Sequence, residues 1–255
     1  MASAEPADLS LDAALLVCPL DPGDAEERVE AIVRTQRDEP GVLESLATER
    51  GHTVVARLDR GDPLTRGTLA GAEVVFEFTT PDAAAGNLLA LANLGARVVT
   101  GTTGWLDRYD EVATVVREHG GALLFSPNFS PGVQLFLRTA TELARRFRGQ
   151  PGFEGFVTES HHSAKKDAPS GTAGALRRAL QAGDPARDFP ITSIRGGFDP
   201  GTHTVVFDSA FETVQLEHRA RSRQVFAAGA VLAGEWLNGR TGVFTFDQML
   251  FPEEP

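Results

Sequence analysis

From Thr53 onward, short apolar runs alternate with longer stretches in which apolar residues recur at helical spacing. TVVARLD, AEVVFEF, ARVVT and ALLF are the apolar runs, and PDAAAGNLLALANLG and LDRYDEVATVVREHG are the helical stretches between them. Valine-rich runs separated by helical periods predict parallel strands joined by crossover helices, a Rossmann-like doubly wound α/β sheet. Pro81 and Asp82 suit the first turn of a crossover helix, where proline has no needed amide and an acid meets the positive dipole end. Gly95 and Gly120 suit the helix ends.

After Gly132 the pattern changes. VQLFLRTATELARRF reads as a long helix, FEGFVTES as a strand and AGALRRALQAG as a helix, followed by the strand-like ITSIRGG, THTVVFDS and ETVQLEHRA. Helices and strands in this order predict a second, α+β domain with a mixed sheet. The last helical stretch, SRQVFAAGAVLAGEWL, carries small residues on several faces, so it is predicted to approach a neighbour closely.

A length of 255 residues accommodates two domains, and 42% hydrophobic with 23% charged residues is ordinary for a folded chain. The net charge of -11 and the lack of a basic run speak against a nucleic-acid partner, which needs clustered cations. One cysteine, Cys18, excludes an internal disulfide framework. The acidic start MASAEPADLSLD does not resemble a signal peptide, and no apolar run reaches membrane-spanning length. A cytoplasmic protein without a membrane partner is expected.

Both lysines, Lys165 and Lys166, fall in HHSAKKDAPSGT, whereas arginines are scattered over the chain. Lysine and histidine can exchange protons near neutrality and arginine cannot, so this stretch concentrates the proton-handling groups. His161, His162 and Lys165 sit at a predicted strand-to-loop exit, where side chains converge on a ligand. A solvated polar loop is the bland reading, and the adjacent turn favours chemistry over it. With neither HExxH nor a cysteine partner, no metal is expected. Ser170 can cap the following helix, Gly171 allows close approach to the backbone, and the Thr172 hydroxyl joins free amides that favour an anion. The expected ligand is a small molecule bearing carboxylates.

Gly101, Thr102 and Thr103 follow the strand ARVVT, and Ser126, Pro127, Asn128 and Phe129 follow ALLF. Loops at the carboxyl ends of strands line the ligand crevice of an open α/β sheet, although each could equally be an ordinary turn. Asp59 sits where a ribose-binding acid is found, and Arg60 could equally meet a phosphate, which leaves NADH and NADPH both open.

ESHHSAKKDAPSGTA, GTTGW, SPNFSPGV, the Arg195–Gly196–Gly197 turn, HTVVF, EHRARSRQVFAAGA and EWL occur in one order from about Leu43 nearly to the end. Together they resemble the dihydrodipicolinate reductase family, also called 4-hydroxy-tetrahydrodipicolinate reductase, of the diaminopimelate route to lysine. The resemblance implies hydride transfer from NADPH or NADH to a cyclic dicarboxylate imine. It implies His161 and Lys165 as acid/base residues, and His162, Lys165, Ser170, Gly171 and Thr172 as substrate contacts. Gly101, Thr102, Thr103, Ser126, Pro127, Asn128 and Phe129 become the nicotinamide-side cofactor contacts, beside Asp59 and Arg60, the candidate contacts read from their place after the second strand. It further implies a dinucleotide-binding domain over 1–127, to which a tail of 229–255 returns, and a substrate-binding and oligomerisation domain over 128–228. Family members are usually homotetramers joined through the second domain's sheet.

The front of the chain departs from this pattern. AALLVC supplies a possible strand, but PLDPGDAEERVEAIV follows it with one glycine, Gly23, where the family carries a Gly-rich turn. Asp21, Asp24, Glu26 and Glu27 crowd the helix start and oppose a pyrophosphate there. Two readings stay open: an altered front on an otherwise intact reductase, or a relative deficient in cofactor binding that acts as a dicarboxylate-binding or regulatory protein.

Overall fold

A computed structural model describes residues 41–58 and 61–252 together with the backbone of 12–17. Cys18, the helix-like PLDPGDAEERVEAIV, Asp59 and Arg60 lie outside the described residues. The chain forms two compact units, one of residues 1–129 with 224–255 and one of residues 130–223.

The first unit is built on a six-stranded sheet: β1 (Asp12–Val17), β2 (Thr53–Leu58), β3 (Val74–Phe78), β4 (Arg97–Thr100), β5 (Ala122–Phe125) and β10 (Gly242–Thr245). Its order is β10-β5-β4-β3-β1-β2, and every pairing is parallel. β1 supplies the strand expected of AALLVC, between β2 and β3. All five residues of β3 are buried, as a strand covered on both faces requires.

Helices cover the two faces. α2 (Pro81–Asn93) and α3 (Tyr109–Glu118) pack Leu88, Leu91, Val112 and Val116 against Val75, Val98 and Leu123 on one side. On the other, α1 (Val42–Glu49), α6 (Gln224–Leu237) and α7 (Phe246–Leu250) meet Val74, Phe76, Val99 and Leu124. A fully buried leucine such as Leu91 stabilises the fold by about 2 kcal/mol. α6 approaches as closely as its small residues predict: a Cβ on Gly229 would stand 1.7 Å from the Phe129 carbonyl oxygen, and one on Gly234 2.7 Å from the Phe76 ring. Glu235 on the same helix accepts two 2.7 Å bonds from Arg50 and lies 2.8 Å from His52, which ties α6 to the end of α1.

The second unit carries a mixed sheet of β7 (Ile191–Arg195), β6 (Glu154–His161), β8 (Thr202–Asp208) and β9 (Thr213–Arg219), in that order. β6 and β7 run parallel, and the other pairs are antiparallel. α4 (Pro131–Phe147) and α5 (Gly171–Gly183) supply Phe136, Ala140, Leu176 and Leu180 to a core shared with Val157, Val205 and Phe207. Gly183 lets these helices touch, because a Cβ there would lie 2.2 Å from the Thr141 carbonyl oxygen.

Candidate active site

In the second unit the site begins with the alternation of β6. Side chains two apart share a face of a strand, so Glu159 and His161 point the same way, and that face is buried. Antiparallel pairing sets His203 of β8 opposite Glu159. Glu159, His161 and His203 are 1%, 7% and 4% exposed, which makes each dependent on its partners. Nδ1 of His161 lies 2.5 Å from Oε2 of Glu159, while Oε1 accepts from Arg195 Nη2 at 2.6 Å and from the Ser170 amide at 3.4 Å. The His203 ring meets that of His161 edge-on, with centroids 5.1 Å apart.

The loop leaving β6 is laced to the segment between β7 and β8. The His162 amide donates to the Asp199 carbonyl (2.8 Å), Ser163 to Gly197 (3.3 Å) and Gly196 back to His161 (3.0 Å). Lys165 reaches Asp167 at 2.6 Å, and its charge acts on His161. Ser170 then caps α5: its hydroxyl accepts the Ala173 amide at 3.2 Å and pairs with His203 Nε2 at 3.1 Å. A Cβ on Gly171 would meet nothing within 4 Å, so the backbone at the helix start is open to a ligand. The helix start, His161 and Lys165 are thereby brought together around the same loop.

Electrostatics sort these groups. Burial alone would raise the Glu159 pKa, but hydrogen bonds from Arg195 and Ser193 and the charges of His161 and Arg195 bring it down to about 2. Burial lowers that of His161; Glu159 opposes the shift and Lys165 adds to it. Burial holds His203 down to about 4. Glu159, His161 and His203 could present ligand atoms within 4.8 Å of one another to a cation. Arg195 already occupies the carboxylate, however, and with Lys165 it places positive charge against the cluster.

In the first unit, Gly101–Thr103 and Ser126–Phe129 leave the carboxyl ends of β4 and β5. A ring of hydrogen bonds holds the first loop. Glu77, wholly buried, accepts from the Thr79 hydroxyl, from the Thr100 hydroxyl (2.5 Å) and from Asn87 (3.3 Å). The Thr102 amide donates to Thr100 Oγ1 (3.2 Å), and the Thr79 amide to Thr102 Oγ1 (2.8 Å). Thr103 is exposed beyond the ring. The Ser126 hydroxyl closes its own turn, donating to the Asn128 carbonyl at 2.7 Å. Phe129, the last residue of this loop, is 1% exposed, with its ring against Phe78 and Phe246 in the core, so any contact with a ligand would fall to its backbone.

The sequence reading missed Glu159, His203 and Glu77. Glu159 could have been found from its spacing to His161 on a strand. His203 could not, because only the β6–β8 register brings it there.

A parallel doubly wound sheet with hydroxyl-rich loops at its carboxyl edge, and a second unit with a histidine–carboxylate–lysine cluster beside a helix start, define a two-unit α/β enzyme of the reductase and dehydrogenase type. Residues 29–129 match the family model "Dihydrodipicolinate reductase, N-terminus", and residues 132–250 match "Dihydrodipicolinate reductase, C-terminus". The chain belongs to the dihydrodipicolinate reductase family. The match reaches forward of Leu43 to residue 29.

The 4-hydroxy-tetrahydrodipicolinate reductase of Christiangramia forsetii is 34% identical over 82% of this chain and 92% of its own length. That of Myxococcus xanthus is 38% identical over 67% of this chain and 69% of its own. A dipicolinate-bound dihydrodipicolinate reductase from Paenisporosarcina sp. TG-14 superposes with a TM-score of 0.68 at 18% identity, covering 94% of this chain and 99% of that one. At that identity the likeness shows the fold. Among the described residues, no helix is long and apolar enough to cross a membrane.

Proposed function

We propose that this chain is an NAD(P)H-dependent 4-hydroxy-tetrahydrodipicolinate reductase, with the first unit as the dinucleotide-binding part and the second as the substrate-binding part. The observation that carries the reading is the buried His161 at the end of β6, braced by Glu159 and set within the field of Lys165, where the loop to the open start of α5 begins. Family membership favours this over a binding-only role. The dicarboxylate is held by charge and by donors: Lys165 and His162 supply side chains, and the Gly171 and Thr172 amides with the Thr172 hydroxyl supply an anion-receptive helix start. Ser170 keeps that start in place as its cap.

Gly101, Thr102, Thr103 and the Ser126–Asn128 turn would hold the nicotinamide end of the cofactor. Their donor set suits a carboxamide: hydroxyls and backbone amides, with the carboxylate of Glu77 buried behind them and satisfied by neutral donors. When bound, NADH or NADPH supplies the hydride. The ring gains one hydride and one proton, so the protein must deliver the proton. His161 and Lys165 are the groups in reach that can do so, and a positioned donor of this kind contributes roughly 10²- to 10⁴-fold in rate. The cytoplasm as location and a homotetramer joined through the second unit's sheet belong to the same proposal; equilibrium sedimentation at monomer mass would overturn the tetramer.

Titration of NADH and of NADPH into the purified chain tests the enzyme reading. Saturable quenching of tryptophan fluorescence by at least one of them is expected, and no binding of either at millimolar concentration would leave only the dicarboxylate-binding role.

A further inference from the structure

We infer that Glu159 is a positioning residue: anchored by Arg195 through one oxygen, it accepts a hydrogen bond from the Nδ1–H of His161 with the other and leaves Nε2 as the nitrogen that exchanges a proton with the ligand. This rests on the reading of His161 given under Proposed function.

The geometry leaves Glu159 little freedom. Oε1 is taken by Arg195 Nη2 and the Ser170 amide, and the same Nη2 donates to the Asp167 carbonyl, so Arg195 is itself held at two points. Ser193 adds a further hydrogen bond to the carboxylate, and Oε2 meets the imidazole, at 2.5 Å from Nδ1. An ionised carboxylate accepts hydrogen bonds and cannot donate one, so Nδ1 must carry the hydrogen. In the neutral ring the lone pair is then on Nε2.

Two further contacts act on the same ring. His203 stands edge-on to it, and is held in turn by the cap residue Ser170. On the Nε2 side lies Gly201, where a Cβ would come 2.9 Å from Nε2 and 3.2 Å from Cδ2. That glycine cannot withdraw easily, since its amide donates to Asp199 Oδ1 and its carbonyl accepts from Ala220, both at 2.9 Å. A residue without a side chain is therefore what keeps the Nε2 edge clear. The charged and titratable groups acting on His161 are Glu159 from its own strand, Lys165 from the loop, Arg195 from β7 and His203 from β8. Of these, Glu159 alone is an anion, and it is the one hydrogen-bonded to the ring.

The test reads the tautomer directly. Full-length protein labelled with ¹⁵N is recorded by long-range proton–nitrogen correlation at neutral pH, with the His161 signals identified by their loss in His161→Gln. The expected wild-type spectrum has a protonated Nδ1 and a bare Nε2. In Glu159→Gln, whose amide can donate or accept, a second population with the proton on Nε2 is expected. Turnover should fall roughly 10²-fold, with the KM for the dicarboxylate little changed and the pH profile displaced. A loss confined to fold stability would move neither the tautomer nor the pH profile.

A wild-type spectrum with the proton on Nε2 overturns the inference without any need for the variant to fold. An unaltered His161 pattern in Glu159→Gln overturns it as well. Undiminished turnover in His161→Gln would instead overturn the role given to His161, whatever the spectrum shows, so the two failures are told apart.

Discussion

Acid should destabilise this protein through His203, and the size of the effect can be worked from its burial. The ring is 4% exposed, and burial brings its pKa from 6.5 in the open chain to about 4 in the fold. Between those values the unfolded chain binds a proton that the native state excludes, so stability rises with pH across the interval. The contribution is complete above pH 6.5 and is lost as the pH falls to about 4. At about 1.4 kcal/mol per pH unit, the separation corresponds to about 3 kcal/mol. His203→Gln removes the titration while keeping a group that can meet the Ser170 hydroxyl, which His203 Nε2 approaches at 3.1 Å. Urea unfolding followed by far-ultraviolet circular dichroism over this pH range gives the comparison. Both tryptophans, Trp105 and Trp236, lie in the first unit, so fluorescence reports that unit separately. The wild type should lose about 3 kcal/mol more than the variant on acidification. Parallel pH dependences would refute the reasoning, since Glu159 titrates in both proteins and cancels.

Two glycines should respond differently to the same added methyl. Gly229→Ala forces a Cβ to within 1.7 Å of the Phe129 carbonyl oxygen, a backbone atom, so the thermal midpoint should fall by an amount corresponding to about 1–3 kcal/mol or more. An unchanged midpoint would contradict the close seating of α6. Gly171→Ala meets no atom within 4 Å and should leave stability within about 0.5 kcal/mol. The same methyl intrudes on the helix start, so calorimetry should show weaker dicarboxylate binding, and unchanged affinity would remove Gly171 from the site.

Much of this organisation is legible in the chain itself. β3 and β4 are apolar runs because both faces of a parallel strand are covered, and α2 and α3 carry the complementary stripes. The elements that the pattern does not disclose are short. α1 has eight residues between Gly41 and Gly51, and β10 is the four residues GVFT, a strand only because β5 is there to pair with it. At the site, Ser170 is readable as a cap from its place before AGALRRALQAG, and the cap is formed. The proton-handling stretch is readable because lysine occurs nowhere else. Its brace is not: Arg195 and His203 reach Glu159 and His161 from β7 and β8, through strand pairings that no local pattern specifies. Phe129 shows the converse, a loop residue after β5 that the fold takes into its core because α7 offers Phe246 to it.

The central claim is that the His161–Lys165 loop delivers the proton that accompanies hydride reduction of a cyclic dicarboxylate. It is tested most directly by the rate of NADH or NADPH oxidation on addition of 4-hydroxy-tetrahydrodipicolinate, in the wild type and in Lys165→Ala. Substrate-dependent oxidation by the wild type, reduced roughly 10²- to 10⁴-fold in a variant that keeps its circular dichroism spectrum, is the expected result. A wild type that oxidises neither cofactor, or a Lys165→Ala protein that turns over undiminished, would contradict it.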